Sequence, residues 1–429
     1  MSAELSQSPS TRGSGPVSAA DVDSAAKRVA GVVTPTPLQL SERLSATTGA
    51  TVYLKREDLQ IVRSYKLRGA YNLLVQLSPE ELAAGVVCSS AGNHAQGFAF
   101  ACRTLGVRGR VYVPAKTPKQ KRDRIRYHGG EFIELIVGGS TYDLAAEAAL
   151  ADVARTGATL VPPFDDPRTI AGQGTIAVEV LDQLDAEPDL VVVPVGGGGC
   201  IAGITTYLAE RTTNTSVLGV EPAGAAAMMA ALANGGPVSL DHVDQFVDGA
   251  AVSRAGRLTY AALAAAGDMV SIITVDEGAV CTAMLDLYQN EGIIAEPAGA
   301  LAVAGLLEAD VEPNSTVVCL VSGGNNDVSR YGEVLERSLV HLGLKHYFLV
   351  DFPQEPGSLR RFLDGVLGPH DDITLFEYVK RNNRETGEAL VGIELGSAAG
   401  LDGLLERMRA TEMQIETIEP GSPAYRYLL

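Results

Sequence analysis

The sequence predicts an α/β protein built on doubly wound parallel sheets, followed by a small α+β unit of ferredoxin-like order. Three observations predict it. Short runs that are apolar on both faces, Leu190–Val195 and Thr316–Val321 above all, alternate with segments of helical period, which is the pattern of buried parallel strands. The loops after Val87, Val195 and Val321 are rich in Gly, Ser and Asn, and such sheets bind ligands at the carboxyl ends of their strands. Near Val340 the pattern changes to strand, helix, strand, strand, helix, strand within about 75 residues.

The elements follow in order. Residues 1–20 are rich in Ser, Gly, Pro and Thr and read as a disordered tail. Ala20–Ala30 has helical spacing, with Asp21 near its start. Val32–Leu38 is extended, because Pro35 and Pro37 remove amide donors and restrain their neighbours. A helical turn is expected at Leu40–Leu44, a strand at Ala50–Leu54 and a charged loop at Lys55–Leu59. Ser64 is placed to cap a helix whose apolar face is Leu67, Ala70, Tyr71, Leu74 and Leu77. Strands are expected at Gly85–Ser89, Arg110–Pro114, Phe132–Val137 and Thr159–Val161. Between them lie an alanine-rich helix ending at Leu105, a very basic helix at Thr117–His128 and a helix at Tyr142–Arg155. Further helices are expected at Thr175–Leu184, Ile201–Glu210 and Ala223–Ala233, with strands at Leu190–Val195, Ser216–Val220 and Thr316–Val321. A neck over 337–344 leads to the last unit. That unit has strands at Lys345–Asp351, Ile373–Lys380, Ala389–Leu395 and Met413–Ile418, helices at Pro356–Leu367 and Leu401–Ala410, and a turn at 382–387.

Bulk properties narrow the function. At 429 residues the chain exceeds one compact core, so two or three domains are expected. A net charge of −18 argues against nucleic acid and anionic membrane surfaces, so any phosphate has to be held locally by backbone amides. The five cysteines are odd in number and scattered without a CxxC, which indicates neither a disulfide framework nor a zinc site and fits a reducing cytoplasm. No apolar stretch has the length of a membrane span, and the first residues lack the apolar core of a signal peptide.

Lys66 falls in the first turn of its helix. The partial positive charge of a helix N-terminus disfavours an ammonium there and favours the neutral amine that a Schiff-base lysine needs. A plain surface lysine is the alternative. Gly196, Gly197, Gly198 and Gly199 join a buried strand to a helix, exposing backbone amides as a phosphate cradle does. Neither GxGxxG spacing nor a following GK[ST] is present, and a flexible turn is the alternative. Ser322 opens a second loop of this kind, either as a turn serine or as a partner for a ring nitrogen. Asn93 opens a helix, either as its cap or to bond a ligand hydroxyl. His94 beside it reads as a structural histidine. Glu296 is either near a ligand or an acid at a helix start. Together these give an amine nucleophile, a phosphate site and polar loops at strand ends, a combination suited to pyridoxal 5′-phosphate.

Ser64–Ala70, Ser89–Gly97, Gly196–Gly199 and Ser322–Asn325 stand in the order seen in fold-type II pyridoxal-phosphate enzymes, and the chain most resembles the biosynthetic threonine dehydratases, over about residues 25–420. The resemblance implies a tryptophan synthase β-like fold of two open twisted α/β lobes over 21–336, with the small lobe at about 60–165, and one ACT-like regulatory domain at 345–420. Carried onto matching positions, Lys66 forms the internal aldimine and acts as general base, Asn93 bonds the 3′ oxygen, Gly196–Cys200 hold the phosphate and Ser322 meets the pyridine nitrogen. Ser90, Ala91, Gly92 and Asn93 receive the substrate carboxylate. A serine at the ring nitrogen leaves that nitrogen near neutral, which β-elimination tolerates.

The reaction implied is dehydration and deamination of L-threonine to 2-oxobutanoate and ammonia, first step of isoleucine synthesis, with isoleucine as feedback effector and a cytoplasmic homotetramer as the assembly. Two departures from relatives sharpen this. Racemising relatives carry a serine where this chain has Ala91, so a base on the second face of the substrate is missing. They also carry acids after Glu-Pro, whereas Glu221-Pro222 is followed by Ala223-Gly224-Ala225, so no metal is expected. His94 argues against the cysteine-synthase branch, which has Thr there. In the last domain Pro356-Gly357 marks the effector region, with Asp351, Phe352 and Glu377 as candidate contacts; a dimerisation module is the alternative. An L-serine dehydratase shares the chemistry, since one methyl group distinguishes the substrates by only ~1–3 kcal/mol. A non-catalytic amino-acid sensor is the reading from another class, and an intact Lys66 argues against it.

Overall fold

The computed structural model describes residues 17–379 and 384–428. Most of the expected tail, and Asn382-Asn383 of the expected turn, lie outside the described residues. The elements in order are α1 (Ala19–Val29), β1 (Leu38–Leu40), α2 (Glu42–Thr48), β2 (Thr51–Arg56), α3 (Lys66–Leu74), α4 (Pro79–Ala84), β3 (Val86–Ser89), α5 (Asn93–Leu105), β4 (Gly109–Val113), α6 (Lys119–Gly129), β5 (Ile133–Val137), α7 (Tyr142–Thr156), β6 (Thr159–Leu160), α8 (Pro167–Gln183), β7 (Leu190–Pro194), α9 (Gly199–Arg211), β8 (Ser216–Pro222), α10 (Ala227–Asn234), α11 (Arg257–Ala266), β9 (Val270–Val275), α12 (Glu277–Glu291), α13 (Pro297–Glu308), β10 (Thr316–Val321), α14 (Tyr331–His341), β11 (Lys345–Pro353), α15 (Ser358–Val366), β12 (Asp372–Tyr378), β13 (Thr386–Glu394), α16 (Leu401–Arg409), β14 (Gln414–Ile418) and α17 (Pro423–Leu428).

Two parallel sheets carry the larger part of the chain. The first has the order β1-β2-β10-β7-β8-β9, parallel except for the edge strand β1; the second has the order β5-β4-β3-β6 and is parallel throughout. Val191–Pro194 and Val317–Val321 are fully buried, as strands covered on both faces must be. Helices α1, α8 and α9 cover one face of the first sheet through Ile170, Ile176, Val180, Ile201 and Leu208, while α3 and α5 fill the second core with Leu67, Leu73, Phe98 and Cys102. Helices α8, α9 and α3 approach so closely that a Cβ at Gly172 would lie 2.6 Å from the Cα of Gly69, and one at Gly174 would lie 2.7 Å from the carbonyl of Gly203.

Several sequence expectations change here. The turn expected at Leu40–Leu44 is divided: Leu40 ends β1, Ser41 caps with its side chain on the Leu44 amide, and α2 continues to Thr48. The helix expected from Thr175 begins at Pro167, with Asp166 accepting from the Arg168 amide at 2.8 Å as its cap. Ser64 does not cap α3; Tyr65 holds that position without a side-chain bond.

The charged loop expected at Lys55–Leu59 is instead an interior ion network. Lys55 and Arg56 end β2, and the side chains of Lys55, Glu57 and Arg68 are fully buried. Arg68 donates to Glu57 Oε1 at 2.7 Å and to Glu179 Oε1 at 2.7 Å, and Lys55 donates to Glu179 Oε2 at 2.6 Å and to the Thr36 carbonyl at 2.7 Å. Two cations meet two carboxylates, so each buried charge is compensated.

The chain divides into two compact units. One covers the described residues up to Asp276 and Leu287–Asn326; the other comprises Glu277–Asp286 and the described residues from Asp327 on. Residues 337–341, expected as a neck, are the end of α14, where Ser338 Oγ meets Thr282 Oγ1 at 2.9 Å. Within the second unit the strands pair antiparallel in the order β12-β13-β11-β14, with α15 and α16 packed over Phe348, Val350, Phe362, Val391 and Leu404. That is the ferredoxin-like order the sequence pattern indicates. Phe352 stacks edge-on to Phe362, Phe376 and Tyr378 inside this core, Gly357 turns into α15 at φ 90°, and Glu377 is exposed on β12.

Candidate active site

The carboxyl ends of β3, β7 and β10 converge on the start of α3. The backbone makes the junction: the Tyr65 amide donates to the Ser322 carbonyl at 3.2 Å, Ser64 bridges Gly323, and the Gly324 amide donates to the Arg63 carbonyl at 2.9 Å. Arg63 holds this turn at φ 57°, an uncommon conformation for a side chain of its size. Helix α5 crosses behind, close enough that a Cβ on Gly97 would lie 2.9 Å from the Leu67 amide.

Lys66 is the first residue of α3, and its Nζ lies 3.3 Å from the Pro163 carbonyl. Burial lowers its amine to about 8, and the Glu296 carboxyl acts the other way. Desolvation, rather than the partial charge of the helix terminus expected from the sequence, is the main cause.

Gly196–Gly199 leave β7 and open α9. Gly198 caps that helix at φ 89°, and the amides of Gly199, Cys200 and Ile201 have no carbonyl within the helix to bond. The protein closes on the back of this loop. A Cβ on Gly199 would lie 2.8 Å from Cβ of Phe164, one on Gly196 would lie 2.9 Å from the Ala250 backbone, and Thr259 Oγ1 donates to the Gly197 carbonyl at 2.7 Å. The loop is thus rigid and bare of side chains, with helix-start amides left over, as a phosphate requires. Cys200 is buried, which pushes its thiol well up, so it stays neutral.

Ser322 is buried at the end of β10 and donates to the Ala298 carbonyl at 3.1 Å. Asn93 is the first residue of α5 but not its cap, a position held by Gly92. Its side chain instead donates to Glu296 and accepts from Asn325 Nδ2 at 2.8 Å. In the loop before it, the Gly92 amide donates to Ser90 Oγ at 3.2 Å, Ala91 packs against the core of the second sheet, and a Cβ built on Gly92 would meet nothing within 4 Å beyond its chain neighbours. His94 Nε2 meets the Val161 carbonyl at 2.8 Å; burial lowers the ring to about 4, so it is neutral. Glu296 precedes α13 without capping it, and burial, reinforced by Asp248, raises its carboxyl to about 7.

The structure therefore brings Lys66, Asn93, Cys200, Ser322 and Glu296 to one place. Sequence reasoning gave no role to Asn325, Phe164, Ala250 or Arg63; only Asn325, in the polar loop after β10, carried a local signal. The residues suit pyridoxal 5′-phosphate: a poised amine, a bare amide loop, and an Asn93 N–H and a Ser64 hydroxyl that have no hydrogen-bond partner among the described residues.

Glu221 stands at the end of β8, behind Met228, whose side chain packs against Gly198. Its buried carboxylate accepts from the amides of Met228 and Met229 at 2.7 and 2.8 Å. Among the described residues no group of three His, Cys, Asp or Glu could hold a metal ion, and no helix is long and apolar enough to cross a membrane.

Comparison with known proteins decides the family. Residues 29–323 match the model for pyridoxal-phosphate dependent enzymes, and residues 336–428 match the C-terminal regulatory domain of threonine dehydratase. The chain belongs to the threonine dehydratase family of pyridoxal-phosphate dependent enzymes. It is 88% identical to the biosynthetic L-threonine dehydratase of Mycobacterium tuberculosis, over the whole of both chains. It is 60% identical to the Corynebacterium glutamicum enzyme of that name over 96% of this chain and 95% of that one. A solved structure of processed threonine deaminase isoform 2 from Solanum lycopersicum is 39% identical, with a TM-score of 0.70 over 76% of this chain and 96% of that one. As a threonine dehydratase family member the chain is a lyase whose cofactor is pyridoxal 5′-phosphate, and residues 336–428 are its regulatory domain.

Proposed function

We propose that this chain converts L-threonine to 2-oxobutanoate and ammonia at the site around Lys66, as the first step of isoleucine synthesis. The observation that carries the reading is the buried Lys66 amine, lowered to about 8, beside a rigid glycine loop. When bound, pyridoxal phosphate supplies a ring that withdraws electrons from the substrate Cα.

The chain's own residues do the rest. Lys66 Nζ would carry the cofactor, and the same amine is placed to take the substrate Cα proton as general base. The amides of Gly196, Gly197, Gly198, Gly199 and Cys200 hold the phosphate. Asn93 and Ser322 orient the ring at its oxygen and its nitrogen. The open loop Ser90–Asn93 takes the substrate carboxylate. Ala91 offers only a methyl group, so that position supplies no proton donor for reprotonation on the second face, and elimination is favoured over racemisation. L-Serine, shorter by one methyl group, is a second substrate of the same machinery.

Isoleucine acts back through the regulatory domain, and the working form is a cytoplasmic homotetramer. The test is 2-oxoacid production from threonine and from serine, each with and without isoleucine. Threonine turnover that isoleucine inhibits supports the whole reading. Absence of 2-oxobutanoate removes the activity, and kinetics unmoved by isoleucine remove the regulatory part alone.

A further inference from the structure

Asn93 has one more N–H than its protein partners use. Its Oδ1 accepts from Asn325 Nδ2 at 2.8 Å, and its Nδ2 donates one proton to Glu296 Oε1. Asn325 spends its other N–H on the Val62 carbonyl, also at 2.8 Å. The polarity of this chain is set at both ends. The Val62 carbonyl only accepts, so the Asn325 nitrogen faces inward and Asn93 has to meet it with oxygen. Glu296 offers acceptor oxygen to the other side of the amide, and even when protonated it keeps one oxygen that only accepts. Turning the Asn93 amide over would set N–H against N–H and oxygen against carboxylate.

Among the described residues the carboxylate accepts no other hydrogen bond. Glu296 does not cap α13, although it stands at that position. It crosses the loop after β10 where Gly323 leaves room, and the Glu296 amide donates to the Gly323 carbonyl at 3.1 Å. Asp248, Lys121 and Arg63 face it from three other segments, and Lys66 and Tyr65 lie within reach of its charge. A buried acid kept here against its desolvation points to a positioning task.

We propose that Glu296 and Asn325 are positioning residues that lock the Asn93 amide so that it offers the cofactor's ring oxygen an N–H and never its carbonyl. This rests on the reading of the site given above. A fixed donor stabilises the anionic form of that oxygen, so the lock sets the balance between the two absorption bands of the bound cofactor and strengthens cofactor binding.

Near-isosteric variants of the holoenzyme test it. Glu296→Gln keeps an acceptor for Asn93 and is expected to retain the wild-type band balance. Asn325→Asp sets an acceptor against Asn93 Oδ1 and drives the amide over. It is expected to shift the balance toward the shorter-wavelength band and to weaken pyridoxal-phosphate binding about tenfold, the scale of one hydrogen bond. If Asn325→Asp does not fold by circular dichroism, Glu296→Leu, which removes the acceptor, is expected to give the same shift. Wild-type spectrum and affinity in the variant that breaks the lock overturn the proposal, as does a Glu296→Gln shift equal to that of Asn325→Asp. Wild-type protein that takes up no pyridoxal phosphate overturns the underlying reading instead, and is told apart because it shows no band at all.

Discussion

Lys66 works because water is kept from it. An ordinary lysine leaves about one amine in 3,000 neutral at pH 7, whereas an amine lowered to about 8 leaves about one in ten. Because only the neutral amine attacks the cofactor aldehyde, the rate of chromophore formation from cofactor-free protein is expected to rise with pH and level off above about pH 8. Stopped-flow absorbance measures this, and a rate still climbing at pH 10 contradicts the desolvated amine. At this scale the sequence was partly legible. The order of Lys66, Asn93, Gly196–Gly199 and Ser322 identified the candidates. The partners of Asn93 were not legible, because Glu296 and Asn325 lie more than 200 residues away.

Helix α3 places Lys66, and the ion network places α3. Arg68, two residues on from Lys66, ties α3 to Glu57 after β2 and to Glu179 of α8. Removing one member strands a buried charge, so Arg68→Met is expected to cost about 3–5 kcal/mol in denaturant unfolding. The exposed pair Lys119–Asp123 serves as the control, and Lys119→Met should leave stability unchanged. An equal, small effect of both would contradict the network's role. Sequence reasoning read Lys55–Leu59 as a loop because a run of charges is usually solvated, and the neutralising Glu179 is contributed by a distant helix. It also began α8 too late. Asp166-Pro167 was a sound start signal, but Gly172 and Gly174 dilute the helical pattern that follows, and their value lies in letting α3 and α9 come close.

For the whole molecule, pattern and topology agreed. Strands apolar on both faces became two parallel sheets, and the change of pattern near Val340 became the antiparallel unit. What the pattern lacked was strand order: β2 and β10 are neighbours although some 260 residues separate them, and no local signal carries such a pairing. That pairing brings the Ser322 loop against the start of α3. The loops after β6 and β10, one from each sheet, therefore reach the start of α3, where Lys66 stands. The most direct test is to reduce the holoenzyme with borohydride and map its peptides by mass. The account predicts a stable pyridoxyl group on Lys66, with no incorporation in Lys66→Ala. A pyridoxyl group on another lysine, or the same labelling in Lys66→Ala, would contradict it.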